Sequence, residues 1–150
     1  LATAEAKKKG YDQVLWTDGG DDPAIEESGM MNVLFVINNK LVTAPLSDTI
    51  LDGVTRDSLL TLAAGMGIVV EQRRLRVGEL EDALREGAVQ AAFGAGTAAV
   101  VAPIQTIQVG ENAYQLPAVK PDALMLQLKQ QLDAIRLGEA PDIHGWNTWI

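Results

Sequence analysis

The sequence predicts an α/β or α+β domain built on a mixed sheet. Three observations carry that expectation. Short runs of large apolar and β-branched residues recur between clusters of glycine, proline, asparagine and aspartate, as strands bounded by turns do. Two longer stretches, 55–67 and 121–138, instead place apolar residues on one helical face. Strands and helices then interleave without a strict strand–helix–strand alternation, which argues for a mixed sheet rather than a purely parallel one.

The elements follow in order. "LATAEAKKKG" reads as the end of a helix, with Gly10 fitting the left-handed residue just past it. "DQVLWTD" (12–18) is a short strand and "GGDDP" (19–23) a turn. "AIEESGMMNVLFVINNKLVTAP" reads as strands with a hairpin at Asn38–Asn39, since asparagine tolerates the positive φ of such turns. A polar turn, "LSDTILDG", precedes the helix "TRDSLLTLAAGMG", which Thr55 can cap. "IVVEQRRL" alternates as a strand, and "GELEDALREG" is a short helix with Gly87 beyond its end. "AVQAAF" and "AAVVAPIQTIQV" are strands on either side of a glycine loop, and "GENAYQLP" is a turn leading to a last strand. The final helix, 121–138, starts with Pro121 in its first turn, exits at Gly138, and carries Met125, Leu128, Leu132 and Ile135 on one stripe.

Composition narrows the function. The 150 residues are 47% hydrophobic and 21% charged, as in an ordinary soluble domain, and no apolar run approaches the roughly 20 residues of a membrane-spanning helix. The first residues, alanine-rich and then basic, do not read as a secretory signal. A net charge of −8 argues against nucleic acid, which needs clustered cations for phosphate contacts. The absence of cysteine removes disulfides, thiolate metal sites and a cysteine nucleophile, and it fits a reducing compartment. The single histidine, His144, cannot build a His-rich metal site and reads as a surface or packing residue.

Three stretches carry candidate chemistry. In "FGAGTAA" successive backbone N–H groups and a threonine hydroxyl can form a nest for an anion. In "LDGVTRD" a glycine precedes a helix whose first N–H groups point outward, a second anion site. Together they suggest one phosphate held from two sides. In "IEESGMMN" two adjacent acids lie on a strand, so Glu26 and Glu27 face opposite ways and one can point inward. A buried carboxylate needs a cation or proton donor. A phosphate clamp with an inward carboxylate suits pyridoxal phosphate, whose pyridine nitrogen a carboxylate keeps protonated.

The ordered set "QVLWTDG", "IEESGMMN", "ILDGVTRDSLLTLA" and "FGAGTAAVVAP", together with the final "GWNTWI", resembles the second half of branched-chain amino acid aminotransferases, which are fold-type IV pyridoxal-phosphate enzymes. The resemblance implies that residues 1–150 are the C-terminal, pyridoxal 5'-phosphate-binding domain, a mixed-sheet pseudo-barrel, of a longer two-domain cytoplasmic chain that forms a homodimer. It implies transfer of an amino group from leucine, isoleucine or valine to 2-oxoglutarate. Within the family pattern Glu27 matches the glutamate on the pyridine nitrogen, Leu51 the residue packed on the ring, and Val54 and Thr55 the phosphate-binding turn. Thr97 matches the threonine that binds the phosphate from the other side, and Ala98 the position whose backbone N–H helps hold the substrate carboxylate. On this reading the glycines of "GAGT" let the backbone meet the phosphate and the carboxylate. No metal is implied.

Several positions depart from the pattern. Met30 stands where the family usually has threonine, and Ala99 and Ala102 occupy the positions where some members carry a Cys-x-x-Cys pair. The lysine that bonds the cofactor is expected upstream of Leu1, with the substrate-binding first domain. Other fold-type IV enzymes, D-amino acid aminotransferases and aminodeoxychorismate lyases, share the glutamate and the threonine turns but match "FGAGTAAVVAP" and the C-terminal segment less well. A non-catalytic ligand-binding fragment is the remaining alternative. Lys7, Lys8, Lys9, Lys40, Lys120 and Lys129 all fall in polar settings that leave a lysine protonated. The 150-residue chain alone is therefore expected not to catalyse transamination. Borohydride reduction after addition of pyridoxal phosphate, followed by mass mapping, should find no stoichiometric adduct on any of these six lysines.

Overall fold

Seven residues, "MNVLFVI", organise the molecule. In the computed structural model, which spans residues 1–150, they form a strand buried along all but its first residue. Such a run of apolar residues requires cover on both faces. Before it come a helix, α1 (Ala2–Lys8), and two strands, β1 (Leu15–Thr17) and β2 (Ile25–Ser28). The organising strand is thus β3 (Met31–Ile37), and β4 (Lys40–Thr43) returns beside it through the Asn38–Asn39 turn, where φ is +49° and +63°. Helix α2 (Val54–Gly65) crosses to β5 (Val70–Gln72), which lies parallel to β4, and α3 (Val77–Arg85) leads to β6 (Val89–Gly96). β7 (Val100–Pro103) folds back on β6 and completes a mixed seven-stranded sheet. β8 (Thr106–Val109) and β9 (Asn112–Gln115) form a separate hairpin, and α4 (Leu124–Arg136) closes the chain.

The two-residue period of β3 divides the core. Leu34 and Val36 pack with Leu59, Leu62 and Ala63 of α2 and with Met125, Leu128, Leu132 and Ile135 of α4. Val33, Phe35 and Ile37 face the other way, onto Leu80 of α3 and Ile107 of the hairpin. One sheet face is thus covered by α2 and α4, the other by α3 and β8–β9.

The edges of β3 are used unequally. β6 runs along one edge from Asn32 to Ile37. The other edge is divided: β2 pairs only at Met31 and Asn32, and β4 takes over from Leu34. Val33 lies at the division, and its carbonyl accepts a hydrogen bond from the buried Thr43 hydroxyl at 2.7 Å. The segment between β4 and α2 runs through the gap where β2 and β4 diverge, and it carries the residues taken up below.

Several expectations are corrected by tertiary pairing. The glycines of "FGAG" are not in a loop: β6 continues through Gly96 and only residues 97–99 turn. "AAVVAPIQTIQV" is two strands, because the chain leaves the main sheet after Ile104, whose N–H still donates to the Ala92 carbonyl, and Thr106 begins the hairpin. The last strand lies inside "GENAYQLP", as β9, rather than after it. Thr55 does not cap α2; the cap is Gly53, with no side-chain hydrogen bond.

Residues after α4 fold back along it. The Asp142 carboxylate accepts hydrogen bonds from the backbone N–H groups of Trp146 at 2.9 Å and Asn147 at 2.7 Å, and the Asn147 side chain donates to the Ile135 carbonyl at the end of α4. His144 stacks on Trp146 with ring centroids 4.4 Å apart, a packing role. The backbone N–H groups of Asn147 and then Trp146 hold the Asp142 carboxyl below the ordinary carboxylate pKa. A depressed folded-state value means that the anchoring is present above the ordinary range and is lost as pH falls through the depressed value. Acid titration of tryptophan fluorescence should therefore show a local transition below the ordinary carboxylate range, and Asp142→Asn should abolish it.

Candidate functional site

Asn32 stands at the point where four segments meet. It is buried at 4% exposure, it is the cross-strand partner of Glu27 in β2, and it pairs with Ala95 of β6 on the other side. Its side-chain Nδ2 donates to the Leu51 carbonyl at 2.8 Å, which fixes the orientation of the amide because a carbonyl can only accept. The Leu51 N–H in turn donates to Glu27 Oε1 at 2.8 Å. Both backbone groups of Leu51 are thereby tied to the sheet, one to β2 and one to β3.

The six residues singled out in the sequence cluster about this point. Glu27 is half-buried, and its Oε2 has no partner within the chain. The Leu51 and Val54 side chains are exposed, at 66% and 82%. Val54 and Thr55 open α2, whose first-turn N–H groups at Val54, Thr55 and Arg56 meet no acceptor in the chain. Thr97 and Ala98 lie in the exposed turn after β6, two and three residues beyond the partner of Asn32, and the N–H groups of residues 97–99 are likewise unpaired. Val100 closes that turn at φ +62° while buried, a conformation costing a β-branched residue on the order of 1–3 kcal/mol. Two sets of free donors therefore flank Asn32, with a carboxylate beside them.

Glu26 and Glu27 both engage the segment leading to α2. Glu26 Oε1 accepts from the Thr49 hydroxyl at 2.6 Å, two residues before the Glu27 contact at Leu51. Met30, at 95% exposure, occupies the tip between β2 and β3, where the Trp16 indole donates to the Gly29 carbonyl at 3.0 Å.

Arg56, which sequence reasoning did not single out, lies 2% exposed in the first turn of α2. It donates to the Ala44 carbonyl and to Gln72 Oε1, each at 2.9 Å, and its Nε has no acceptor. A cation is disfavoured at a helix N-terminus, and no carboxylate bonds it directly. Burial holds its pKa below the ordinary guanidinium value, opposed by the charges of Asp52 and Asp57. The sequence signal was a lone arginine in the first turn of a helix that is otherwise apolar on that face.

The glycines have another reason than the one expected. A Cβ on Gly94 would stand 2.8 Å from the Met31 Cε, and one on Gly96 would stand 3.2 Å from Met31 Cγ. They clear room for a methionine side chain across the sheet, so the close approach is protein on protein. Free backbone donors in the motif are confined to the turn at 97–99. A cavity of about 510 Å³ lies on the Met31 face, lined by Ser28, Met31, Pro103 and Ile107, and it contains none of the six residues above. None of the six lysines reaches the Asn32 rim: Lys40 pairs with Glu71 at 3.1 Å and Lys129 with Asp133 at 2.6 Å, while the other four are exposed.

A helix start without a side-chain cap, a threonine turn with free N–H groups and a strand carboxylate thus lie around Asn32. Residues 1–107 match the family model described as amino-transferase class IV, and the chain belongs to that family. It is 40% identical over 150 residues to a probable branched-chain-amino-acid aminotransferase of Staphylococcus epidermidis, covering 100% of this chain and 42% of that protein. It is 39% identical to a branched-chain-amino-acid aminotransferase of Mycobacterium tuberculosis, covering 97% of this chain and 41% of that one. The chain thus spans less than half the length of these relatives. Among solved structures it is similar to the branched-chain amino acid aminotransferase of Thermobaculum terrenum in its PLP form, with a TM-score of 0.80 and 26% identity over 97% of this chain and 44% of that one. The branched-chain aminotransferase of Thermoproteus uzoniensis with norvaline gives a TM-score of 0.76 at 27% identity, over 98% of this chain and 44% of that one.

The glycine geometry gives opposite expectations for two alanine substitutions. Gly94→Ala should destabilise by roughly 1–3 kcal/mol through overpacking against Met31. Gly78→Ala, in α3 with nothing within 4 Å of the new Cβ, should stabilise by about 0.5–1 kcal/mol. Denaturant unfolding of both variants checks the pair.

Proposed function

We propose that this chain is the cofactor-holding part of a branched-chain amino acid aminotransferase, a cytoplasmic homodimer that uses pyridoxal 5'-phosphate. The observation that carries the reading is the rim itself: two unpaired donor sets and the free Glu27 Oε2 around Asn32. The family and the relatives at about 40% identity support it. No helix is long and apolar enough to cross a membrane.

The residues fit that cofactor chemically. The N–H groups of Val54 and Thr55, with the positive end of the α2 dipole and the buried charge of Arg56, favour a phosphate dianion. The Thr97 hydroxyl and the turn behind it supply donors from the opposite side. Glu27 Oε2 is free to accept from a protonated pyridine nitrogen while Oε1 stays bonded to Leu51. The exposed Leu51 side chain offers an apolar surface for the ring, and the Ala98 N–H a donor for a substrate carboxylate. When bound, pyridoxal phosphate supplies the electron sink for charge developing at the substrate carbon. The chain's own task is to hold the ring nitrogen's proton and to fix the phosphate. Substrates in this reading are leucine, isoleucine or valine with 2-oxoglutarate, and the lysine that bonds the cofactor comes from the rest of the protein.

Two conservative substitutions in the full-length enzyme separate the acids. In Glu27→Gln the amide oxygen still accepts from Leu51, so the fold is kept, but the charge on the ring nitrogen is lost. Turnover should fall on the order of 100-fold or more. In Glu26→Gln the amide oxygen still accepts from Thr49, and turnover should stay within about twofold, the scale of a surface change. Steady-state kinetics with leucine and 2-oxoglutarate gives the answer, and a reversed pattern would sink the assignment.

A further inference from the structure

Asn32 is a buried polar residue within a strand of apolar neighbours, and it makes no contact that the sheet itself needs. Its amide is spent on Leu51. We propose that Asn32 is a positioning residue that sets the span between the Glu27 carboxylate and the N-terminus of α2, and hence the length of ligand the rim accepts.

The geometry is a short chain of constraints. Glu27 and Asn32 are fixed to each other as cross-strand partners. Leu51 is held between them, its N–H on Glu27 and its carbonyl on Asn32, each at 2.8 Å. The Leu51 carbonyl also accepts from the Gly53 N–H at 2.9 Å, which folds residues 51–53 into a tight turn directly before α2. Gly53 is in an ordinary extended conformation, φ −72° and ψ 126°, which any residue adopts. What excludes a side chain there is Asn32: a Cβ on Gly53 would fall on its Oδ1. The Asn32 amide thus both ties and abuts the turn. Without it, the carbonyl of Leu51 keeps only the Gly53 N–H and the helix start can shift relative to Glu27.

A ligand that touches both ends should feel that shift more than one that touches a single end. Pyridoxal phosphate spans from ring nitrogen to phosphate, whereas inorganic phosphate meets only α2 and the 97–99 turn. The inference rests on the cofactor reading above, and the wild-type arm of the experiment tests that reading separately.

The test is equilibrium titration of the full-length apoenzyme, followed by tryptophan fluorescence, with pyridoxal 5'-phosphate and, by competition, with inorganic phosphate. Asn32→Ala should weaken pyridoxal phosphate about tenfold, the effect of losing one hydrogen bond that fixes the turn, with phosphate affinity changed less than about twofold. Gly53→Ala probes the same contact without a core substitution and should weaken pyridoxal phosphate in the wild-type background. Adding Gly53→Ala to Asn32→Ala should cost nothing further, because the obstructing amide is gone. Losses that multiply in the double variant, or phosphate affinity falling in step with the cofactor, would overturn the inference alone. A wild-type apoenzyme that fails to bind pyridoxal phosphate would overturn the cofactor reading and the inference together.

Discussion

One edge of β3 has to serve two partners, and the candidate site exists because it does. β2 leaves β3 after Asn32 and β4 joins at Leu34, so the two neighbours splay apart around Val33. A split sheet exposes backbone polar groups that a continuous one would pair. The Thr43 hydroxyl answers the Val33 carbonyl, and the segment entering α2 occupies the opening. Ile50 of that segment is buried, but the Leu51 side chain next to it is exposed. Leu51 is held by its backbone, through Glu27 on β2 and Asn32 on β3. The start of α2 inherits its place from those two hydrogen bonds.

The electrostatics of the rim run against stability taken alone. A glycine N-cap forgoes a few tenths of a kcal/mol against a side-chain cap, and three first-turn N–H groups go unpaired. Arg56 adds a buried positive charge at the end of the helix where the dipole is already positive. Asp52 and Asp57 offset it only through space. No helix of the chain has a side-chain N-cap, so what sets α2 apart is the buried arginine in its first turn.

Met31 and Asn32, adjacent in sequence, serve opposite faces of β3. Met31 lies over Gly94 and Gly96, filling the space their missing side chains leave. Asn32 points to the Glu27 face, where the free donors gather. A shift of register by one residue would exchange the two, placing a methionine on the polar rim and an amide in an apolar slot. The small residues of β6 therefore protect the register on which the rim depends.

The sequence by itself determined the elements whose signals are local. Turn chemistry marked Asn38–Asn39, which adopts positive φ, and helical periodicity marked the stripe Met125, Leu128, Leu132 and Ile135, every member of which is buried. Ordered motifs offered Glu27, Leu51, Val54, Thr55, Thr97 and Ala98 as candidates for one site. Tertiary structure alone decided what those residues rest on. That "GAG" is strand, that Gly53 and not Thr55 caps α2, and that Asn32 and Arg56 support the rim all depend on distant partners, as with Arg56 and Ala44, 12 positions apart, or Met31 and Gly94, 63 apart. The asparagine in "MMNVLFVI" was not singled out from the sequence, because an amide has no preferred local partner. Which carbonyl it meets is set only when β2 and β4 part and the chain between them is drawn into the gap.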